Sequence, residues 1–287
     1  MRIAILGAGG QLGAAVAEEC ASGHEVVTFG RADLDMSDDA AVAAAIARAR
    51  PAAIVNGVAY TDVDASEDHP VDALNANAFA VRALARAAEA QGAVLVHYST
   101  DFVFDGMSAT PYTEDDRPNP RSVYAASKLL GEWFALDVPR SYMLRVESLF
   151  GRAPSGPPSR GSVANIVNAL KAGGRPKVFE DRTVSPTYLI DAARATRRLL
   201  ESSPAPGLYH CVNTGLCTWL EFARALAGRL GGEALVAALV PVKMADVSLR
   251  AARPRFCALS NAKLRASGIE MPTWQDALER YVRDLTA

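Results

Sequence analysis

The sequence predicts an α/β fold: a doubly wound parallel sheet with a smaller α/β lobe at its C-terminal end. Three observations predict it. Short apolar runs alternate with alanine- and leucine-rich stretches of helical length through the first half of the chain. The first run breaks directly into a glycine-rich turn. Beyond Gly151 the alternation gives way to a segment rich in Pro, Ser, Gly and Arg. Repeated strand–helix–strand units require right-handed crossovers, so the strands run parallel and the sheet is covered on both faces.

Taken in order, strands are expected at 3–6, 26–29, 53–56, 94–98 and 142–146, each a short β-branched or apolar run. Helices are expected between them at 11–22, 38–49, 71–91 and 122–136. Ser122, following Pro118 and Pro120, is a sensible N-cap for the last of these. Residues 1–150 therefore read as one α/β unit, and 151–287 as mainly the smaller lobe with segments crossing back. The stretch 152–161 has the composition of a surface loop. Further helices are expected near 162–172, 188–202, 218–230 and 273–286. Thr218, with Glu221 three residues later, opens the third of them as a capping box. In such sheets ligands bind beyond the carboxyl ends of the strands, so residues just after the apolar runs carry the interest.

Bulk properties narrow the function. With 287 residues, 50% of them hydrophobic and 22% charged, the composition is that of an ordinary globular protein. A net charge of -2 argues against nucleic acid or an acidic membrane surface as the main partner. No apolar run approaches the roughly 18 to 20 residues of a membrane span. The N-terminus lacks a signal-peptide pattern, and a cytoplasmic protein is expected. Cys20, Cys211, Cys217 and Cys257 form no Cys-x-x-Cys, and no two histidines pair at helical metal-binding spacing. No metal site is expected, and the thiols read as buried and reduced.

The turn Gly7-Ala8-Gly9-Gly10-Gln11-Leu12-Gly13 lies between the first strand and the first helix. Glycines let the backbone approach a pyrophosphate, and the helix N-terminus offers free N–H groups with positive dipole charge. Strand, Gly-x-x-Gly-x-x-Gly and helix together mark a Rossmann-type dinucleotide site. An acid at the end of the second strand would accept an adenosine 2′-hydroxyl; here Gly30 stands there, followed by Arg31. An arginine fork suits a 2′-phosphate, so NADPH is favoured, with NADH as the alternative. Asp35 and Met36 are placed to flank the adenine, and Gly57, Val58 and Ala59 to line the opposite side of the cofactor.

Hydride addition to a ketone leaves an alkoxide unless an acid protonates it. Tyr124 and Lys128 are four apart in an expected helix and so face the same way. An ammonium beside the phenol is expected to lower its pKa by roughly 1–3 units. The alternative is a surface tyrosine lying on a lysine stem, with Lys128 pairing to Glu132. The strand 94–98 runs into Ser99-Thr100-Asp101, which puts a hydroxyl and a carboxylate where a substrate would lie. Thr100 is placed to bond the substrate oxygen beside Tyr124, and Asp101 to orient the sugar or a water.

With these residues in place, the chain resembles the extended short-chain dehydrogenases/reductases, and within them the dTDP-4-dehydrorhamnose reductase family. The match runs nearly end to end. It includes Val55-Asn56, Thr61-Asp62-Val63-Asp64, His97 to Gly106, Gly131-Glu132, Ser185-Pro186-Thr187, Gly207 to His210, Thr218-Trp219 and Ala252-Arg253-Pro254. The resemblance implies a reduced nicotinamide cofactor in contact with Gly7, Gly10, Gln11, Leu12, Gly13, Thr61 and Tyr98. It implies Tyr124 as proton donor, Lys128 on the nicotinamide ribose, Thr100 polarising a 4-keto oxygen, and Asp101 near the sugar. The partner it implies is a nucleotide-sugar substrate gripped by the C-terminal lobe, and a homodimer is compatible with it.

Three positions depart from the family pattern. Ser148 stands where a tryptophan usually packs on the sugar, Phe102 where a tyrosine is common, and Ala125 where a glycine often follows the catalytic tyrosine. Loss of an aromatic platform alters substrate shape preference more than hydride chemistry. Arg253 is the main expectation for the substrate diphosphate, with Arg160 second. Two other readings stand beside the reductase: an epimerase or dehydratase of a nucleotide sugar, and a non-catalytic NADP-binding regulatory subunit.

Overall fold

The computed structural model describes residues 1–286. Its centre is a six-stranded sheet in the order β10-β5-β4-β3-β1-β2. These strands are β1 (Arg2–Leu6), β2 (Glu25–Phe29), β3 (Ala53–Asn56), β4 (Val94–Thr100), β5 (Ser141–Val146) and β10 (Gly207–His210). Every pairing among them is parallel. The four residues of β3 and the six of β5 are buried throughout, as strands covered on both faces must be.

The crossovers are α1 (Gln11–Ala21), α2 (Asp39–Ala49), α3 (Ala65–Asp68), α4 (Pro70–Leu74), α5 (Ala80–Gln91) and α6 (Val123–Leu136). One apolar cluster packs α1 and Leu189–Leu200 against one face of the sheet, including Ile3, Ile5, Val55 and Val96. A second packs α2 and α5 against the other face through Leu6, Ile54, Leu84 and Met143. Chain order reverses between β1 and β3, and each of these strands is followed at once by a glycine, Gly7 and Gly57. That reversal opens a crevice at the carboxyl ends of the strands.

The second half of the chain does not form a separate body. After β6 (Leu149–Phe150) come α7 (Ser162–Lys171), β7 (Lys177–Phe179), β8 (Thr183–Val184), β9 (Thr187–Tyr188) and α8 (Leu189–Ser202). Then β10 joins the main sheet beside β5, followed by β11 (Cys217–Thr218), α9 (Trp219–Gly231), α10 (Glu233–Ala238) and β12 (Val240–Val242). The last helices are α11 (Ala262–Ala266) and α12 (Trp274–Thr286). The small lobe has its own core, in which the rings of Phe150, Tyr188, Phe222, Trp274 and Tyr281 pack together, Phe150 stacked on Tyr188. The Thr218–Glu221 capping box forms in full. Among the described residues, no helix is long and apolar enough to cross a membrane.

The expected single helix over 71–91 is interrupted. A π-turn at Asn75–Phe79 joins α4 to α5, and the extra residue turns Asn77 inward to complete burial. Its carboxamide accepts from Tyr60 N–H at 2.8 Å and donates to the Tyr60 carbonyl at 3.1 Å and to Ser127 Oγ at 3.0 Å. The strand expected to end at residue 98 continues through Thr100.

Candidate active site

The glycine turn is built for close approach. Gly7 has a φ of 76°, and a β-carbon there would lie 2.9 Å from the Gly57 carbonyl carbon. A β-carbon on Gly13 would run into the Gly7 carbonyl. Gly10 is the N-cap of α1, no side chain caps that end, and its first turn holds no acid. The free N–H groups and the positive end of the helix dipole are thus left for an anion.

These features open into a cleft of about 1380 Å³ between the sheet and the second half of the chain. Gly7, Gly10, Gln11 and Leu12 line it at the turn. Arg31, Asp35 and Met36 line it beyond β2, and Gly57, Val58, Ala59 and Thr61 beyond β3. Tyr98, Tyr124 and Lys128 line it from β4 and α6. Gly13 is the one expected cofactor residue off the wall; its part is to let α1 close on the turn. Gly30 N–H is bonded to the Asp33 carboxylate at 2.7 Å, while Arg31 is exposed at the mouth. Arg160 also lines the cleft, and its backbone N–H is held by the Gln11 carboxamide.

Helix α6 presents the Tyr–Lys pair. Ser122 accepts from Ala125 N–H at 3.2 Å, and Glu67 accepts from Val123 N–H at 2.8 Å, so two free donors at the helix start are satisfied. Gly131 lets α6 approach the Asn77 π-turn, where a β-carbon would run into the Asn77 carbonyl. Lys128 is buried, and its Nζ donates to the Tyr98 carbonyl at 2.6 Å. The Tyr124 phenol lies beside Thr100, which favours its charged form, and the Phe102 ring packs edge-on against it at 5.6 Å.

The electrostatics differ from the expectation of a phenol acidified by its lysine. Burial pushes Tyr124 up to about 12, opposed by the neighbouring Thr100 hydroxyl and reinforced by the Asp101 charge. Burial also pulls Lys128 down to about 8, opposed by Glu132. Desolvation outweighs the pairwise attraction because Lys128 is buried and its ammonium is spent on a carbonyl. Nor does Lys128 pair with Glu132. That carboxylate is bidentate to Arg145 at 2.8 and 2.7 Å, with both side chains 2% exposed. The Arg145 guanidinium also lies over the Phe104 ring at 4.9 Å.

Four expected substrate residues sit differently from their sequence reading. Asp101 is buried at 2% exposure; its Oδ1 accepts from Thr100 at 2.9 Å and its Oδ2 faces Arg182 at 3.8 Å. Its carboxylate turns inward in the 3-10 turn Asp101–Val103 that follows β4. Arg253 is not free for a diphosphate. It grips Asp64 at 2.9 and 2.8 Å, which lowers that carboxyl to about 2 and ties the C-terminal segment to the chain after β3. Phe102 is sandwiched between Tyr124 and the Arg182 guanidinium, 5.2 Å from its ring centre. Ser148, with φ of 47°, makes the left-handed bend from β5 into β6 and lies off the cleft wall.

Asn77, Glu147 and Arg182 carry no motif in the sequence, and Cys257 reads there only as a buried thiol. Asn77 fixes both the cleft loop at Tyr60 and the helix at Ser127. Glu147, Arg182 and Cys257 surround Asp101. Only the apolar setting of a lone acid in Arg145-Val146-Glu147 and of Arg182 before Thr183-Val184 hinted at burial.

Comparison with known proteins agrees with this geometry. The RmlD substrate binding domain family matches residues 1–287. A dTDP-4-dehydrorhamnose reductase of Streptomyces griseus is 36% identical over 264 residues, covering 89% of this chain and 84% of that one. The crystal structure of a dTDP-4-dehydrorhamnose reductase from Clostridium acetobutylicum superposes with a TM-score of 0.93 at 31% identity, covering 100% of both chains. The Bacillus anthracis dTDP-4-dehydrorhamnose reductase, solved in complex with NADP, superposes with a TM-score of 0.88 at 31% identity, over 99% of each chain. The chain belongs to the RmlD substrate binding domain family.

Proposed function

We propose that the chain is an NADPH-dependent reductase of the C4 ketone of a dTDP-4-keto-6-deoxyhexose, with dTDP-4-dehydrorhamnose as substrate and dTDP-L-rhamnose as product. One observation carries the reading: an uncapped glycine turn and the Tyr124–Lys128 pair open onto the same cleft. The pyrophosphate fits the N-terminus of α1, and Arg31 suits the 2′-phosphate. The NADP complex of the Bacillus anthracis relative supports the cofactor.

The bound dinucleotide supplies hydride to the substrate carbon. Tyr124, kept protonated by its burial, then gives its proton to the developing alkoxide, which is a far stronger base than a phenolate. Thr100 orients the phenol and polarises the ketone. Lys128, anchored on the Tyr98 carbonyl and lining the cleft, is the residue that would hold the nicotinamide ribose. The inward turn of Asp101 counts against a dehydratase, which needs an acid facing the sugar beside Thr100.

The test is NADPH oxidation on mixing purified protein with an enzymatically made dTDP-4-keto-6-deoxy sugar. No oxidation at saturating concentrations would sink the reading. Arg31→Ala is expected to raise the KM for NADPH by about 10-fold or more and leave that for NADH nearly unchanged, by loss of a charge-assisted phosphate contact. Equal changes would remove Arg31 from 2′-phosphate recognition. Lys128 also sets a pH limit. Burial lowers it to about 8, so its ammonium is lost as pH rises through that value. The kcat/KM profile is therefore expected to fall on its alkaline limb with an apparent pKa near 8. A profile flat to well beyond that value would place the essential charge elsewhere.

A further inference from the structure

Beside Thr100 lies a group of buried charges that the reduction does not use. Asp101 Oδ2 and Glu147 Oε1 are both buried without a hydrogen-bond partner. One atom each of Asp101, Glu147 and Cys257 lies within 4.8 Å of the other two. Glu147 Oε2 accepts from Ser185 N–H at 2.7 Å. Arg182, between β7 and β8, faces Asp101 at 3.8 Å and donates to the Pro254 carbonyl at 3.2 Å and to Cys257 Sγ at 3.6 Å. Cys217 on β11 and Tyr124 on α6 are the other titratable groups facing the pair. Such spacing would suit a cation, but Arg182 already supplies the positive charge and would repel one.

Two carboxylates against one guanidinium leave an unpaired negative charge in the interior, which is strongly disfavoured. A single proton on the pair removes it. Burial raises both carboxyls, and the Asp101 charge raises Glu147 further. The proton belongs to the pair rather than to either residue.

We propose that Asp101 and Glu147 together hold one proton at neutral pH and resupply it to Tyr124 through the Thr100 hydroxyl. This rests on the reduction proposed above. When Tyr124 has lost its proton to the substrate alkoxide, its phenolate takes the Thr100 hydroxyl proton. The Thr100 oxygen, 2.9 Å from Asp101 Oδ1, in turn takes the carboxyl proton, which reverses the direction of the resting hydrogen bond, in which Thr100 donates. The pair is left as two carboxylates and regains a proton from water along the same path once product leaves. Glu147 touches no reacting atom; it acts by adding the second buried carboxylate that makes the pair hold a proton.

Glu147→Gln keeps the bond to Ser185 N–H and leaves Asp101 paired with Arg182 alone, so the stored proton is lost. The infrared spectrum of ligand-free wild type at neutral pH is expected to show a protonated-carboxyl band that this variant lacks. In rapid mixing with NADPH and the keto sugar, its first turnover is expected to match wild type. Its steady-state rate is expected to fall by about tenfold on the alkaline side and to recover as pH drops. A wild-type spectrum without the band overturns the proposal, and so does an equal fall in first-turnover and steady-state rates, which marks a structural role. Absence of NADPH oxidation by wild type would instead undo the reduction reading, and the relay with it, while the band remained.

Discussion

Tyr124→Phe is expected to lower turnover by about 10² to 10⁴ while leaving NADPH affinity unchanged, because only the proton donor is removed. The change is clean for structural reasons. The Tyr124 ring keeps its edge-on contact with Phe102, and the helix start keeps its Ser122 cap. Lys128 remains on the Tyr98 carbonyl, so the ribose side of the cleft is undisturbed. The one interaction lost is that with Thr100. Cofactor titration and steady-state turnover, measured on the same preparation, check the two halves of the prediction. Full activity in the variant would remove Tyr124 from the mechanism; lost NADPH binding would recast it as a cofactor residue.

Arg145→Met is expected to destabilise the protein by about 3–5 kcal/mol, read as a shift of the denaturation midpoint. The Glu132–Arg145 pair joins the catalytic helix to β5 in the interior, and removing the guanidinium strands a carboxylate that cannot reach water. The Phe104 stacking and the 3.4 Å contact with His210 are lost as well. His210 is held down at about 3 chiefly by burial, which the substitution leaves in place. Replacing both partners with apolar residues of similar size is expected to recover most of the loss, since the uncompensated charge and not the missing attraction is what costs stability. A double variant as unstable as the single one would locate the damage in packing instead.

The sequence made the sheet legible because its signals are local. An apolar run ending in glycine at Leu6-Gly7, or a Ser122 cap ahead of Tyr124, is settled within a few residues. Most of the cleft wall followed, since it lies where those runs stop. What escaped was set by partners far along the chain. Asp101 reads as a loop carboxylate until Arg182, Glu147 and Cys257 are brought around it from three later segments. Arg253 reads as a free cation until Asp64 takes it. The Asn77 π-turn escaped for another reason: one extra residue in a helix leaves the apolar spacing of 71–91 nearly intact, and the tertiary contacts to Tyr60 and Ser127 decide it. β10 was also missed, four residues whose strand character comes from the free edge of β5.

That sixth strand limits how the chain can be divided. A version ending at residue 150 would keep the whole glycine turn and the Tyr–Lys helix, yet it would bare the backbone of β5 and the Tyr142 ring that Tyr209 now covers. An exposed parallel edge of that kind recruits other chains and aggregates. Grafting a new C-terminal half to change sugar preference therefore means supplying a compatible β10 with it, so the two halves must be exchanged as parts that share a seam.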